Sequence, residues 1–260
     1  MVSARVGHYT RALLDASPKL NHYPGNTEEP VRVPCKEKTL KTNSLTLTCV
    51  TIFALTSTAG TAFSQEESLS PKVNERILKD PMKAAVRFES PKRDVVKQID
   101  KILKACELKP GMDVADVGAG SGLHARLFAR QVAPGGKVYA TEITQTFLDY
   151  IKSECEKQKI GNVVCVLGTT TSSKLEPNSV DLVFTSNVYH HFEYPFKMLD
   201  SIHSALRKGG RLVIIDDKKK SDHVRADQAT VIEEVKKAGF KLIDERSFSD
   251  RNFMARFEKK

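Results

Sequence analysis

The chain has 260 residues, 40% hydrophobic and 28% charged, enough for one sizeable core plus an appendage and unlike a disordered or many-spanning membrane chain. Its formal charge of +9 is spread along the whole length as a solvated surface, so nucleic acid is not an expected partner. It has no tryptophan, no aromatic-rich basic run and no C-x-x-C pair, which excludes single-strand stacking platforms and zinc modules.

Residues 1–64 differ from the rest. Up to about residue 43 the segment is rich in Pro, Asn and Lys without apolar periodicity, and is expected to be loop or disorder. LTLTCVTIFALTSTAGTAFS follows, twenty residues without a charge, preceded by Lys36, Lys38 and Lys41. Basic residues, an apolar stretch and a small-residue close at Ala62-Phe63-Ser64 are the parts of an export signal over about 36–64. Twenty uncharged residues are also enough for a membrane anchor, the one route by which a membrane would be a partner. With export the protein is periplasmic or extracellular; without it, cytoplasmic. The five cysteines (Cys35, Cys49, Cys106, Cys155 and Cys165) are odd in number and irregularly spaced, which reads as free thiols and not as a disulfide framework.

Residues 65–91 read as a linker, and the folding unit as 92–260. In 92–108, KRDVVKQIDKILKACEL, residues Val95, Val96, Ile99, Ile102, Leu103 and Cys106 fall at helical spacing, and Lys109-Pro110-Gly111 ends the helix. Short β-branched runs then alternate with helical segments: MDVADVG, helix 122–132, KVYATEI, helix 144–158, NVVCVLG, a loop of about ten residues, SVDLVFTS, helix 195–207, RLVIIDD, helix 224–238, FKLIDERSF and NFMARFEKK. Strands separated by crossover helices predict an α/β fold, a mainly parallel sheet wound on both faces. The last two runs are joined by Ser249-Asp250-Arg251 alone, too short for a crossover, so they pair as an antiparallel hairpin.

The segment VADVGAGSGLHARLFAR carries the chemistry. A buried strand, Val114 to Val117, runs into Gly118-Ala119-Gly120-Ser121-Gly122, and a helix begins at once. Glycine lets the backbone turn sharply and lets a ligand approach it, and a side chain at Gly120 is expected to fill that ligand's space. Helix-start amides there suit an anionic group. Twenty residues after Gly122, Glu142 ends the next strand, where a carboxylate can accept both hydroxyls of an adenosine ribose. A dinucleotide fingerprint would need Gly or Ala at the sixth position, which is Leu123. Asp116 adds a carboxylate that repels a pyrophosphate but suits the ammonium of an amino acid. Adenosine joined to methionine fits this pattern better than adenosine joined to phosphates.

On these residues the chain, across roughly 85–260, resembles the class I S-adenosylmethionine-dependent methyltransferases. VADVGAGSG is similar to that family's first motif and Glu142 to its ribose-binding acid, with SVDLVFTSNVYHHF and LRKGGRLVIID similar to its fourth- and fifth-strand segments. YHHFEYPFKML and the C-terminal RFEK are similar to a group of predicted methyltransferases, many with export signals. The resemblance implies a Rossmann-like, doubly wound sheet of order 3-2-1-4-5-7-6 with the seventh strand antiparallel. It implies S-adenosylmethionine as cofactor. Asp116, Gly118, Ala119, Gly120 and Gly122 would hold its methionine end, Glu142 and Ile143 the ribose and one adenine face, and Asn187 and Val188 the floor near the methyl group. Thr169 and Thr170 stand where the family often has an acid contacting the adenine amine, and offer only hydroxyls there. Arg87, Phe88 and Arg93 precede the core where the fold places a lid, in the segment 65–91 and just beyond.

Methyl transfer is chiefly positioning in a site closed to water, with a base where the acceptor must lose a proton. His190 and His191, just past the fourth strand, are the candidate bases. No metal is expected: Asp216 and Asp217 end the fifth strand, but no spaced His/Asp motif accompanies them. SNVYHH lacks the Asn/Asp-Pro-Pro-Tyr/Phe arrangement of many methylators of planar amino groups, which disfavours DNA adenine or glutamine methylation. The expected acceptor is a small molecule. Two other readings stand beside this one: a non-catalytic cofactor-binding module, and, against Leu123, a nicotinamide-dependent oxidoreductase.

Overall fold

The computed structural model describes residues 79–260. The expectations for 1–64, and for 65–78 of the linker, lie outside the described residues. Among the described residues no helix is long and apolar enough to cross a membrane.

The helices are α1 (Pro81–Phe88), α2 (Asp94–Lys97), α3 (Ile99–Cys106), α4 (Leu123–Val132), α5 (Gln145–Lys157), α6 (Pro195–Ala205) and α7 (Gln228–Lys237). The strands are β1 (Val114–Val117), β2 (Val138–Glu142), β3 (Val163–Leu167), β4 (Val180–Ser186), β5 (Leu206–Asp217), β6 (Phe240–Ser247) and β7 (Asn252–Lys259). They form one seven-stranded sheet of order β3-β2-β1-β4-β5-β7-β6. Pairing is parallel from β3 through β5, and β7 lies antiparallel between β5 and β6. The expected fold and its terminal hairpin are both present.

The two-residue alternation of the strands divides the core. Leu182, Phe184, Val213 and Ile215 face one layer with Ile99, Ile102, Phe128, Leu148 and Ile151. Their neighbours Val183, Leu212 and Ile214 face the other, with Leu199, Ile202, Val235 and Phe253. Strands buried on both faces explain why their sequences read as continuous apolar runs.

Three boundaries differ from the pattern. The expected single helix over 92–108 is two, α2 and α3, bent at Gln98 (φ −112°, ψ 28°). Val95 and Val96 are buried before the bend and Ile99 and Ile102 after it, so apolar spacing continues across a backbone that is not helical throughout. The last helix starts at Gln228, not at 224. Ser221 and Val224 close a tight turn through reciprocal backbone bonds of 3.0 and 3.1 Å, and Asp227 Oδ1 caps α7 by accepting from Thr230 N at 2.9 Å. β5 begins at Leu206, earlier than its apolar run, because Val180 already pairs with it there.

α1 packs on α5 through Ala84, Ala85, Phe88, Phe147 and Tyr150. A buried ion pair fastens the end of this segment to α4 and the glycine turn: Arg126 Nη2 lies 2.6 Å from Glu89 Oε1, and Arg126 Nη1 donates to Ser121 O at 2.7 Å. Removing one member of such a pair strands a charge in low dielectric, so Glu89→Ala is expected to lower unfolding free energy by about 3 kcal/mol in urea titration. Arg126→Met, which removes the charge but keeps the volume, is expected to cost less; equal losses would show that packing and not charge governs the contact.

Candidate active site

The carboxyl ends of β1, β2, β4 and β5 open into one cavity of about 800 Å³, at the point where chain order reverses between β1 and β4. Ligands gather at such switch points because the loops diverge there, and this volume suits a drug-sized molecule.

The glycine turn enters it from β1. Gly118, Gly120 and Gly122 have φ of 71°, 56° and 72°, a left-handed backbone that favours glycine. The room left by their missing side chains is taken by protein, contrary to expectation. A Cβ at Gly120 would meet the Phe88 ring at 2.9 Å, one at Gly118 would collide with Val188, and one at Gly122 would meet Ile151 at 2.6 Å. Gly118, Ala119 and Gly120 still line the cavity with their backbone, whereas Gly122 turns into the core and does not reach it. Asp116, Glu142, Ile143, Thr169, Thr170, Asn187, Val188, His190 and His191 all line the cavity.

Two carboxylates stand at the inner wall. Asp116 is 2% exposed and its Oδ2 has no hydrogen-bond partner. Burial, with Glu142 nearby, pushes its carboxyl up to about 7. Glu142 Oε1 accepts from Gly120 N at 2.7 Å and Oε2 from Ile143 N at 3.1 Å, and burial also lifts this group to about 7 despite those amides. Each oxygen keeps a lone pair for a further donor. Thr169 and Thr170 sit in a turn closed by reciprocal bonds between Thr169 and Ser172.

The opposite wall comes from β4, β5 and the β6–β7 hairpin. After β4, Asn187 takes a left-handed conformation (φ 54°) and a 3₁₀ turn, Tyr189–His191, follows. Tyr189 anchors the turn: it is fully buried and its hydroxyl donates to Glu234 Oε2 at 2.7 Å, a carboxylate also held by Arg225 at 2.9 and 2.8 Å. The structure separates the two histidines. His190 Nδ1 is 2.6 Å from Asp216 Oδ1, while Asp216 Oδ2 accepts from His190 N at 3.2 Å. His191 is pulled down to about 4 by burial and by His190, which makes it a weak base at neutral pH.

His190, Asp216 and Asp217 bring possible metal-ligand atoms within 4.8 Å of one another. Their hydrogen bonds already use them. Asp217 is gripped by Arg251 through Nε and Nη2 at 2.7 Å each and by Asn252 Nδ2 at 2.9 Å, and Asp216 Oδ1 also accepts from Asp217 N at 2.7 Å. The positive charge a metal would bring is supplied there by Arg251.

Several cavity residues were not anticipated from sequence. His124, pushed down to about 4 chiefly by burial and then by Arg93, belongs to the first turn of α4. Arg251 and Asn252 come from the hairpin, and Asn252 Nδ2 also donates to Asn187 Oδ1 at 2.9 Å. No local motif marks a hairpin residue that folds back over a strand end about 65 positions earlier.

Residues 115–214 match the family model described as a methyltransferase domain. The crystal structure of an S-adenosylmethionine-dependent methyltransferase from Aquifex aeolicus is similar to the chain with a TM-score of 0.64 and 26% identity, covering 70% of this chain and 99% of that one. The protein-L-isoaspartate O-methyltransferase of Methanothrix thermoacetophila is 32% identical over 108 residues, 42% of this chain and 49% of its own. The arsenite methyltransferase of Halobacterium salinarum is 28% identical over 109 residues, 42% of this chain and 28% of its own. The chain spans less than half the length of the curated relatives it matches. The matched stretch contains the glycine turn, Glu142 and both histidines; Arg93, Arg251, Asn252, Asp216 and Asp217 lie outside it.

Proposed function

We propose that the chain is an S-adenosylmethionine-dependent methyltransferase acting on a small-molecule acceptor. The supporting observation is Asp116 Oδ2, a carboxylate oxygen buried without a partner at the end of β1, beside a glycine turn whose backbone is open to the cavity. A buried acceptor left unpaired is costly, and an amino-acid ammonium satisfies it. Asp116 and the turn would hold the methionine end, and Glu142 the ribose hydroxyls. Ile143 would pack on the base, with Thr169 and Thr170 beyond it. When bound, the cofactor supplies an electrophilic methyl group on a positively charged sulfur.

The chain's own part is orientation and proton removal. Phe88 and Val188 pack against the glycine turn. His190 lines the same cavity, and Asp216 holds its Nδ1 side, which orients the ring as the base that would take an acceptor's proton. The names of the relatives specify acceptors as different as a protein isoaspartate and arsenite, so the acceptor follows from this cavity and not from kinship.

Calorimetry with S-adenosylhomocysteine, together with labelled-methyl transfer into extract fractions, tests this reading. Glu142→Ala is expected to weaken binding by about 1.5–3 kcal/mol, roughly tenfold or more, because the ribose hydroxyls lose a charged acceptor. Unchanged affinity removes Glu142 from the site. Tight binding with no transfer to any fraction replaces the enzyme with a cofactor-binding module.

A further inference from the structure

The outer half of the cavity carries positive charge that the nucleoside half does not use. Arg93, the residue before α2, is half-buried, and among the described residues it has no ion-pair partner. Its guanidinium donates one hydrogen bond, to Phe88 O at 3.1 Å, and lies over the Phe88 ring at 5.3 Å. A guanidinium has five donors, so most of its capacity is unspent. Arg87 lies over the same ring at 5.8 Å. Burial of Arg93, and after it repulsion by Arg87 and Arg251, lower its proton affinity against the attraction of Asp217. That carboxylate is already taken by Arg251 and Asn252.

Position assigns this cluster to the acceptor. Arg251 and Asp217 belong to the β5–β7 side of the sheet, whereas the glycine turn and Glu142 belong to the β1–β2 side. Arg87, Arg93 and Arg251 all line the cavity that His190 lines. We infer, on the basis of the function proposed above, that the methyl acceptor is a small anion whose carboxylate or phosphate docks between Arg93, Arg87 and Arg251. Guanidinium groups bind both kinds of anion through paired N–H donors. The anionic end is thereby held against the lid side while the atom to be methylated points toward His190.

The test uses protein saturated with S-adenosylhomocysteine, so that the nucleoside half is filled. Inorganic phosphate and malonate are titrated separately by calorimetry, with glycerol as the neutral control. At least one anion is expected to bind and glycerol is not, and the stronger anion tells phosphate from carboxylate. Arg93→Gln is expected to weaken that anion about tenfold or more while S-adenosylhomocysteine affinity stays within about twofold. Arg87→Gln, at an exposed position, is expected to weaken it about threefold and serves where Arg93→Gln does not fold. Absence of anion binding, or equal binding by both variants and parent, overturns the inference. A tenfold loss of S-adenosylhomocysteine affinity in Arg93→Gln also overturns it, by placing the nucleoside's own carboxylate on Arg93. If the parent does not bind S-adenosylhomocysteine, the nucleoside reading fails by itself, and the anion titration is read on the free protein.

Discussion

At about pH 7.5, Asp116→Asn is expected to bind S-adenosylhomocysteine roughly tenfold to a hundredfold more weakly than the parent, the value of a charge-assisted hydrogen bond to a buried group. At about pH 5.5 most of that difference disappears. Both inner carboxyls are held near 7, Asp116 by burial and then by the charge of Glu142, Glu142 by burial. Below that value the parent must release protons to receive a cation, so its affinity rises with pH between about 5.5 and 7.5, with up to one proton released per carboxyl.

Stability moves the other way. The ordinary values are 3.8 and 4.5, and both folded values are raised. The contribution of these groups is therefore full below about pH 4 and is lost as pH climbs through 7. The unliganded parent is expected to lose melting temperature over that interval, and Asp116→Asn to lose less because its amide does not ionise. Melting curves and proton-release calorimetry in buffers of different ionisation enthalpy check both signs. A parent whose affinity is flat from about pH 5.5 to 7.5 would falsify the assignment of Asp116 to the ligand's cation.

What was legible in the sequence follows the range of each interaction. The sheet could be read because strands buried on both faces must be apolar runs, and because a link of only a few residues between β6 and β7 permits only a hairpin. Gly118 to Gly122 announced a turn because left-handed backbone leaves few residue choices. The reason assigned to those glycines was incomplete: Val188 and Phe88 occupy two of the vacated positions, and these contacts bridge about 70 and 32 residues of chain. Gly122 looked like its neighbours in the motif, yet its partner is Ile151 on a helix underneath. The bend at Gln98 was invisible because helical spacing persists through it. Arg93 could be placed in a lid segment, but Arg251 read as an ordinary surface cation, since only the closed fold brings the hairpin to the same cavity.

The same distinction separates the two histidines, which the sequence could not rank, and it yields the largest kinetic effect. Asp216→Asn is expected to reduce the rate of methyl transfer on the order of a hundredfold or more, the usual contribution of a positioned base, with S-adenosylhomocysteine affinity unchanged. The carboxylate at Asp216 accepts from His190 Nδ1 and thus selects the tautomer that leaves Nε2 unprotonated; an amide at that position can present N–H to the ring instead. Two of the carboxylate's other bonds are to backbone amides, of His190 and Asp217, and one amide oxygen can keep only part of them, so melting temperature is measured alongside to separate folding from chemistry. Imidazole provides the discriminating control. His190→Gly vacates a ring-sized space in the cavity wall, and added imidazole is expected to restore part of its rate but none of the rate of Asp216→Asn. His191→Gln is expected to retain most activity, since a ring already held near 4 contributes little as a base. Full activity in Asp216→Asn, or rescue of both variants by imidazole, would show that the acceptor reaches the cavity already deprotonated and that this pair only supports the turn after β4.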